Sequence, residues 1–206
     1  YIPNAVLAAI IVVAVAPLVD LKKAWTLWRF NRPDAFALIG TFVAVLIVGI
    51  ELGILIGLAL TVIFLMGKTS RPHVAEVGRV PGTEHFRNVD RHQVEVTEGV
   101  LALRIDESLN FANAPYLESY VIAQVADRPA IRSVLLIASG INHLDATGLE
   151  ALERIRDELN STGVTLYLSD VKGPVTDQLQ RAGFDQAFLK DHIFLSADRA
   201  LAALGS

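Results

Sequence analysis

Cysteine is absent from all 206 residues, and methionine occurs once, at Met66. Without thiols there is no disulfide, no thiolate-bound zinc and no cysteine nucleophile. Charge is nearly absent from one end. Residues 1–67 contain only Asp20, Lys22, Lys23, Arg29, Arg32, Asp34 and Glu51, whereas residues 68–206 carry 14 Lys and Arg against 19 Asp and Glu. That acidic balance speaks against a nucleic-acid partner, because phosphate binding needs clustered Lys and Arg. A basic leader with a small-residue cleavage site is missing too, so the apolar start does not read as a signal peptide. The chain begins at Tyr1 inside an apolar run, and further polypeptide is expected upstream.

What is there, first, is apolar sequence. Residues 4–19 carry no charge and approach the roughly 20 residues a spanning helix needs; a buried core helix of a soluble protein is the other reading. Residues 35–67 contain one charge, Glu51. As one straight helix they would reach about 50 Å at 1.5 Å per residue, against about 30 Å of hydrocarbon. The run must break. Gly49-Ile-Glu-Leu-Gly53 is the expected place, which leaves a hairpin of two short halves, residues 35–48 and 54–66. Gly49, Gly53 and Gly57 recur at four-residue spacing, a face that lets another helix approach closely, either from the same chain or from a second subunit. Glu51 is either the hairpin tip or an intramembrane ion or proton ligand.

Basic residues flank these runs: Lys22, Lys23, Arg29 and Arg32 on one side, Lys68 and Arg71 on the other. Positive flanks favour the cytoplasm. Both margins can lie there only if an even number of crossings separates them, which a hairpin provides. Residues 20–34, with Trp25, Trp28 and Phe30 beside the cations, read as an interfacial linker on a lipid bilayer.

Residues 68–206 have the composition of a water-soluble, here cytoplasmic, domain. Residues 68–92 read as a linker. Residues 93–97 and 100–105 alternate about Glu98-Gly99 and predict a β-hairpin. Residues 114–126 predict a helix with Leu117, Tyr120, Val121 and Val125 on one face, and the apolar run within 131–138 a strand covered on both sides. Leu149, Leu152, Ile155 and Leu159 mark an amphipathic helix that carries an i,i+4 pair, Glu150 and Arg154. A strand at 164–168, a helix opened by Pro174 and ending near Gly183, and a short helix after Ser196 follow. The fold class expected is an all-α membrane segment of three transmembrane helices (1–67), then an α/β domain (93–206) with a mixed central sheet and packed helices.

Two sets of residues resemble one family. Ile2-Pro-Asn-Ala-Val-Leu-Ala-Ala-Ile10, Thr41-Phe-Val-Ala, Gly49-Ile-Glu-Leu-Gly-Ile-Leu-Ile-Gly57 and Ser70-Arg-Pro-His73 resemble the closing membrane segment of sulfate-permease (SulP) anion transporters. Arg104-Ile-Asp, Asn110-Phe-Ala-Asn-Ala114 and Leu144-Asp-Ala-Thr-Gly148 resemble the STAS domain appended to them. The resemblance implies a multi-pass inner (plasma) membrane carrier of sulfate, bicarbonate or dicarboxylates, secondary-active and without a cofactor. Residues 1–67 would be the last of its helices, in the gate part, and would pack against the remainder of the transporter membrane domain. Its anion site would lie upstream of Tyr1, so no substrate-binding residue is expected here, and these residues alone should carry no anion. A homodimer and a cytoplasmic regulatory protein on the STAS domain are the partners implied. The alternative is a membrane-tethered STAS regulator of the anti-sigma-antagonist type, without transport.

Asp145-Ala-Thr-Gly148 follows the central strand and opens a helix, where free N–H groups favour a cap or an anion. Either Asp145 or Thr147 could cap. In the related anti-sigma-factor antagonists the hydroxyl at the position of Thr147 is phosphorylated, so Thr147 and Asp145 form the candidate regulatory site, with a plain helix cap as the other reading. His85, His92 and His143 lack metal-ligand spacing, and no metal is expected. Asn160-Ser-Thr162 matches a glycosylation acceptor by chance, and Lys172-Gly-Pro174 is too short for a phosphate loop. Asp145 lacks the acidic pair and the lysine that a phospho-accepting receiver domain needs. No nucleophile stands with a base, so no catalytic site is expected.

Overall fold

The structure, a computed structural model, describes residues 3–16, 20–184 and 186–205. Residues 17–19, the end of the first apolar run, lie outside the described residues, as do Tyr1 and Ile2. The chain divides into two compact units, Tyr1–Gly67 and Lys68–Ser206.

The first unit is helical. Helix α1 spans Asn4–Val15, α2 Leu21–Phe30, α3 Arg32–Val48 and α4 Ile50–Thr69. The long apolar run breaks at Gly49, whose φ of 94° suits glycine and few other residues. The two helices are longer than the short halves expected. Asn31 and Asp34 hydrogen-bond across the first turn of α3 (2.6 Å), and Pro33 stands in that turn, so α3 begins upstream of Ala35. One glycine suffices for the turn, which places Glu51 in the first turn of α4, where the helix dipole favours a carboxylate. α3 and α4 then run back along each other. A Cβ on Gly53 would lie 2.5 Å from Val45, and one on Gly57 would collide with Thr41. This face of α4 is therefore closed by α3 of the same chain. Thr41 and Thr61 donate their hydroxyls to the carbonyls of Ala37 and Gly57 (2.7 and 2.9 Å), so neither presents an unpaired hydroxyl to the apolar surface. Among the described residues, α4 is the one helix long and apolar enough to cross a membrane, and α1 is a shorter apolar helix.

The second unit is a six-stranded mixed sheet in the order β2-β1-β3-β4-β5-β6. Its elements are β1 Val74–Arg79, β2 Phe86–Asn88, β3 Val100–Ile105, α5 Ala114–Ala126, β4 Ser133–Ile137, α6 Ala146–Ser161, β5 Thr165–Ser169, α7 Gly173–Arg181, α8 Gln186–Asp191, β6 Ile193–Phe194 and α9 Ala197–Leu204. Strands β3 to β6 are parallel, and β1 is antiparallel to both β2 and β3. On one face, Leu103, Ile105, Leu136 and Leu168 pack with Leu117, Val121, Ile155 and Leu179 of α5, α6 and α7. On the other, Ala75, Val77, Ala102, Leu135 and Ile137 pack under Ala197, Ala200 and Leu201 of α9. The Leu, Val and Ile run of β4 is buried on both faces, as such a run requires.

Two expectations need correction. Residues 68–92 are not merely a linker, because they contain β1 and β2. Residues 93–97 do not form the first arm of a hairpin with β3: β1 fills that place, with Val74 opposite Ile105 and Glu76 opposite Leu103. The 93–97 segment contributes a single bridge, in which Arg79 and Glu95 exchange backbone hydrogen bonds of 2.9 and 2.8 Å. The polarity of β1 hides it in the sequence. Glu76 is matched by Arg128 (2.8 Å) and Arg79 by Asp198 (2.6 Å), partners far along the chain that make a charged strand tolerable in a sheet.

Candidate regulatory site

The parallel strands β3 and β4 end on the same side of the sheet, and the loops leaving them meet the N-terminus of α6. Asp145 is the N-cap of α6, and its two carboxylate oxygens do different work. One accepts from the Gly148 N–H (2.8 Å), closing the first helical turn; the other accepts from the Phe111 N–H (2.8 Å), in the loop between β3 and α5. Asp145 thus ties that loop to α6, and the backbones bridge again between Leu109 and Leu144. The approach is close enough that a Cβ on Gly148 would stand 2.9 Å from the Leu109 carbonyl oxygen. Glycine is required there by space rather than by backbone angle.

The loop is held from inside by Asn113, a fully buried polar side chain. Its amide oxygen accepts from the Asn110 N–H and its amide nitrogen donates to the Ser108 carbonyl, both at 2.9 Å. Ser108 in turn accepts at its hydroxyl from the N–H groups of Asn142 and His143 (3.2 Å each). Gln178 on α7 accepts from the Leu144 N–H and meets His143 Nδ1, each at 3.2 Å. Every backbone group of these loops that is tied down in this way resists the fraying usual for loops.

Thr147 sits half-buried in the first turn of α6, beside this frame. The cap is Asp145 rather than Thr147. The exposed ring of Phe111 (63% exposed) projects from the same loop that Asp145 holds. Chemically, the arrangement offers a hydroxyl at a helix N-terminus with its cap already occupied by a carboxylate. A phosphate on Thr147 would gain from the helix dipole and lose by repulsion from Asp145.

A second cluster is built on Arg104-Ile-Asp106 at the end of β3. Arg104 donates to Asp106 through Nε (2.6 Å) and through a terminal nitrogen (3.2 Å), and His73 Nδ1 meets the same carboxylate at 2.7 Å. Burial pushes the Asp106 carboxyl up, but the hydrogen bonds and charges of Arg104 and His73 outweigh it and hold it below its ordinary value. The hydrogen bond to Asp106 raises Arg104 in turn. His73 was invisible as a partner because it lies 33 residues from Asp106. Ser108, Asn113 and Gln178 were missed as well; of these only Asn113 lay within a quoted motif. His85 and His92 are exposed in turns away from these contacts. Of the packing glycines, Gly53 and Gly57 are buried on α4 and Gly49 forms the hairpin turn.

Residues 91–200 match the STAS domain, and residues 1–41 match the sulfate permease family. Sulfate transporter 1.3 of Arabidopsis thaliana is 31% identical over 98% of this chain and 32% of its own length. High affinity sulfate transporter 2 of Stylosanthes hamata is 29% identical over 100% of this chain and 32% of its own. The chain thus spans about a third of the length of the curated relatives it matches. Among solved structures, the murine solute carrier 26 family member A9 anion transporter, inward-facing, shares the fold with a TM-score of 0.86 at 24% identity, covering 100% of this chain and 34% of that one.

Proposed function

We propose, from the premise that this chain belongs to the STAS domain family and carries a sulfate permease family segment, that it is the C-terminal region of a secondary-active anion carrier. Its substrate class is sulfate, bicarbonate or a dicarboxylate. In this reading residues 1–67 are membrane helices of the gate part, three crossings in number, and residues 68–206 are a cytoplasmic regulatory domain that also takes part in homodimer contacts. The observation that carries the reading is the pairing, in one chain, of a STAS fold with helices that leave many large apolar side chains mostly exposed. Ile11, Val13, Leu46, Ile47 and Ile50 are 62–76% exposed, which water would penalise at about 25 cal/mol per Å² of apolar surface and lipid would not.

The test is uptake of labelled sulfate, bicarbonate and dicarboxylates by vesicles containing the complete polypeptide to which these residues belong. Saturable flux of one of them is the expected result. A polypeptide that resides in the membrane, binds a cytoplasmic partner through Thr147 and moves none of these anions would instead be a tethered regulator.

Regulation is assigned to the Asp145–Thr147 corner. Asp145 holds two chain segments together there, so a modification of Thr147 would be felt by both α6 and the loop carrying Phe111. A Thr147→Asp variant should alter flux without altering expression; unchanged flux, with no phosphate found on Thr147 in cells, would leave the corner as a helix cap alone.

A further inference from the structure

Helix α2 has two faces. Ala24 and Leu27 are half-buried, and Trp28 meets Phe36 of α3 edge-on with ring centroids 5.2 Å apart; Ala35 of α3, 1% exposed, lies at the same end. This side is spoken for. The other face consists of Lys22, Trp25, Thr26, Arg29 and Phe30, residues at i, i+3, i+4, i+7 and i+8, which align along one side of a helix. All five are exposed, Trp25 at 66% and Phe30 at 87%. The Thr26 hydroxyl is returned to the Lys22 carbonyl (2.9 Å), so it offers the face no hydroxyl donor. From Leu21 to Pro33 the sequence contains no carboxylate. Two cations therefore stand on the open face, with Trp25 one turn along from Lys22 and Phe30 next to Arg29.

We propose that this face of α2 binds the headgroups of anionic phospholipids: Lys22 and Arg29 take the phosphates while Trp25 and Phe30 enter the acyl boundary. The choice of occupant rests on charge complementarity and on the neighbouring aromatic rings. A zwitterionic surface would satisfy the rings but would leave two cations with no net countercharge. An apolar protein partner would leave both cations desolvated, whereas an amphipathic aromatic and basic face suits a charged interface. The inference deepens the membrane reading above and rests on it.

Trp25 and Trp28 are the only tryptophans in the chain, so Trp28→Phe leaves Trp25 as a single fluorescent reporter on the open face. The chain is reconstituted in mixed phosphatidylcholine and phosphatidylglycerol vesicles of one overall composition, with bromine carried at equal mole fraction on the acyl chains of one lipid or the other. Trp25 should be quenched several-fold more by brominated phosphatidylglycerol than by brominated phosphatidylcholine. Lys22→Gln with Arg29→Gln should bring the ratio towards one, and added salt should act in the same direction. Exchanging the cations, Lys22→Arg with Arg29→Lys, should keep the preference. Strong but equal quenching by both lipids, or a preference that survives the Gln substitutions, would overturn the anionic-lipid assignment while leaving the membrane reading intact. Absence of quenching by either lipid would overturn both.

Discussion

In the sheet of the second unit Leu135, Leu136 and Leu166 are at most 1% exposed, while Leu46, Leu55 and Leu58 on α3 and α4 are 70%, 60% and 61% exposed. The same side chain is thus hidden in one unit and displayed in the other. Among the described residues of the first unit, those that are buried are Ala35, Gly53 and Gly57. Small residues, not large ones, mark its helix contacts. That is the packing logic of helices whose surroundings are already apolar: close backbone approach gains dispersion contacts, and large side chains face outward at no cost. The second unit follows the opposite logic, in which water drives the large side chains inward and polar groups survive inside only with partners.

The comparison is broken most sharply by making one substitution in both places. Leu136→Ala should destabilise the second unit by about 2–5 kcal/mol, as expected for a core cavity, read as a fall in its unfolding midpoint in mild detergent. Leu46→Ala should shift stability by less than about 0.5 kcal/mol. Comparable losses at both positions would mean that Leu46 is packed against protein. Next in size is Gly57→Leu, which forces α4 off Thr41 and should cost about 1–3 kcal/mol or more of hairpin stability, visible as loss of a monodisperse detergent complex. The equivalent enlargement at Gly67, where nothing lies within 4 Å, should be tolerated.

Asp145→Ala removes acceptors from two N–H groups, and a loss of about 1–2 kcal/mol is expected from the cap alone. Thr147→Ala should be nearly neutral for stability, because it does not supply the cap. The smallest effect concerns pH. Asp106 has a folded pKa below its ordinary value, so its contribution is fully present above the ordinary carboxylate pKa, about 3.9, and is lost as pH falls through the folded value. Wild type and Asp106→Asn should therefore differ in melting temperature at neutral pH and converge in acid below about pH 4. The difference should be small, on the scale of a surface ion pair.

Much of the second unit was legible because its periodicity is unambiguous. The face of Leu149, Leu152, Ile155 and Leu159 gave α6, and the uninterrupted Val134-Leu-Leu-Ile137 run gave a strand buried on both sides. β1 was not legible. Its Glu76 and Arg79 look like solvated linker residues until Arg128 and Asp198 arrive from distant sequence. The cap at Asp145 could be read locally, but its second bond, to Phe111, spans 34 residues, and no local pattern signals it. In the first unit the break at Gly49 was readable from helix length against bilayer thickness. The start of α3 at Arg32 depended on Asn31 and Asp34, whose hydrogen bond the apolar count ignores.

The account turns on residues 32–69 entering and leaving the bilayer on the same side. The chain has no cysteine of its own, so single cysteines at Thr26, Glu51 and Arg71 can be probed in sealed vesicles with a membrane-impermeant maleimide. The account predicts that the Thr26→Cys and Arg71→Cys sites label from one face and the Glu51→Cys site from the other. Labelling of Thr26→Cys and Arg71→Cys from opposite faces would contradict it.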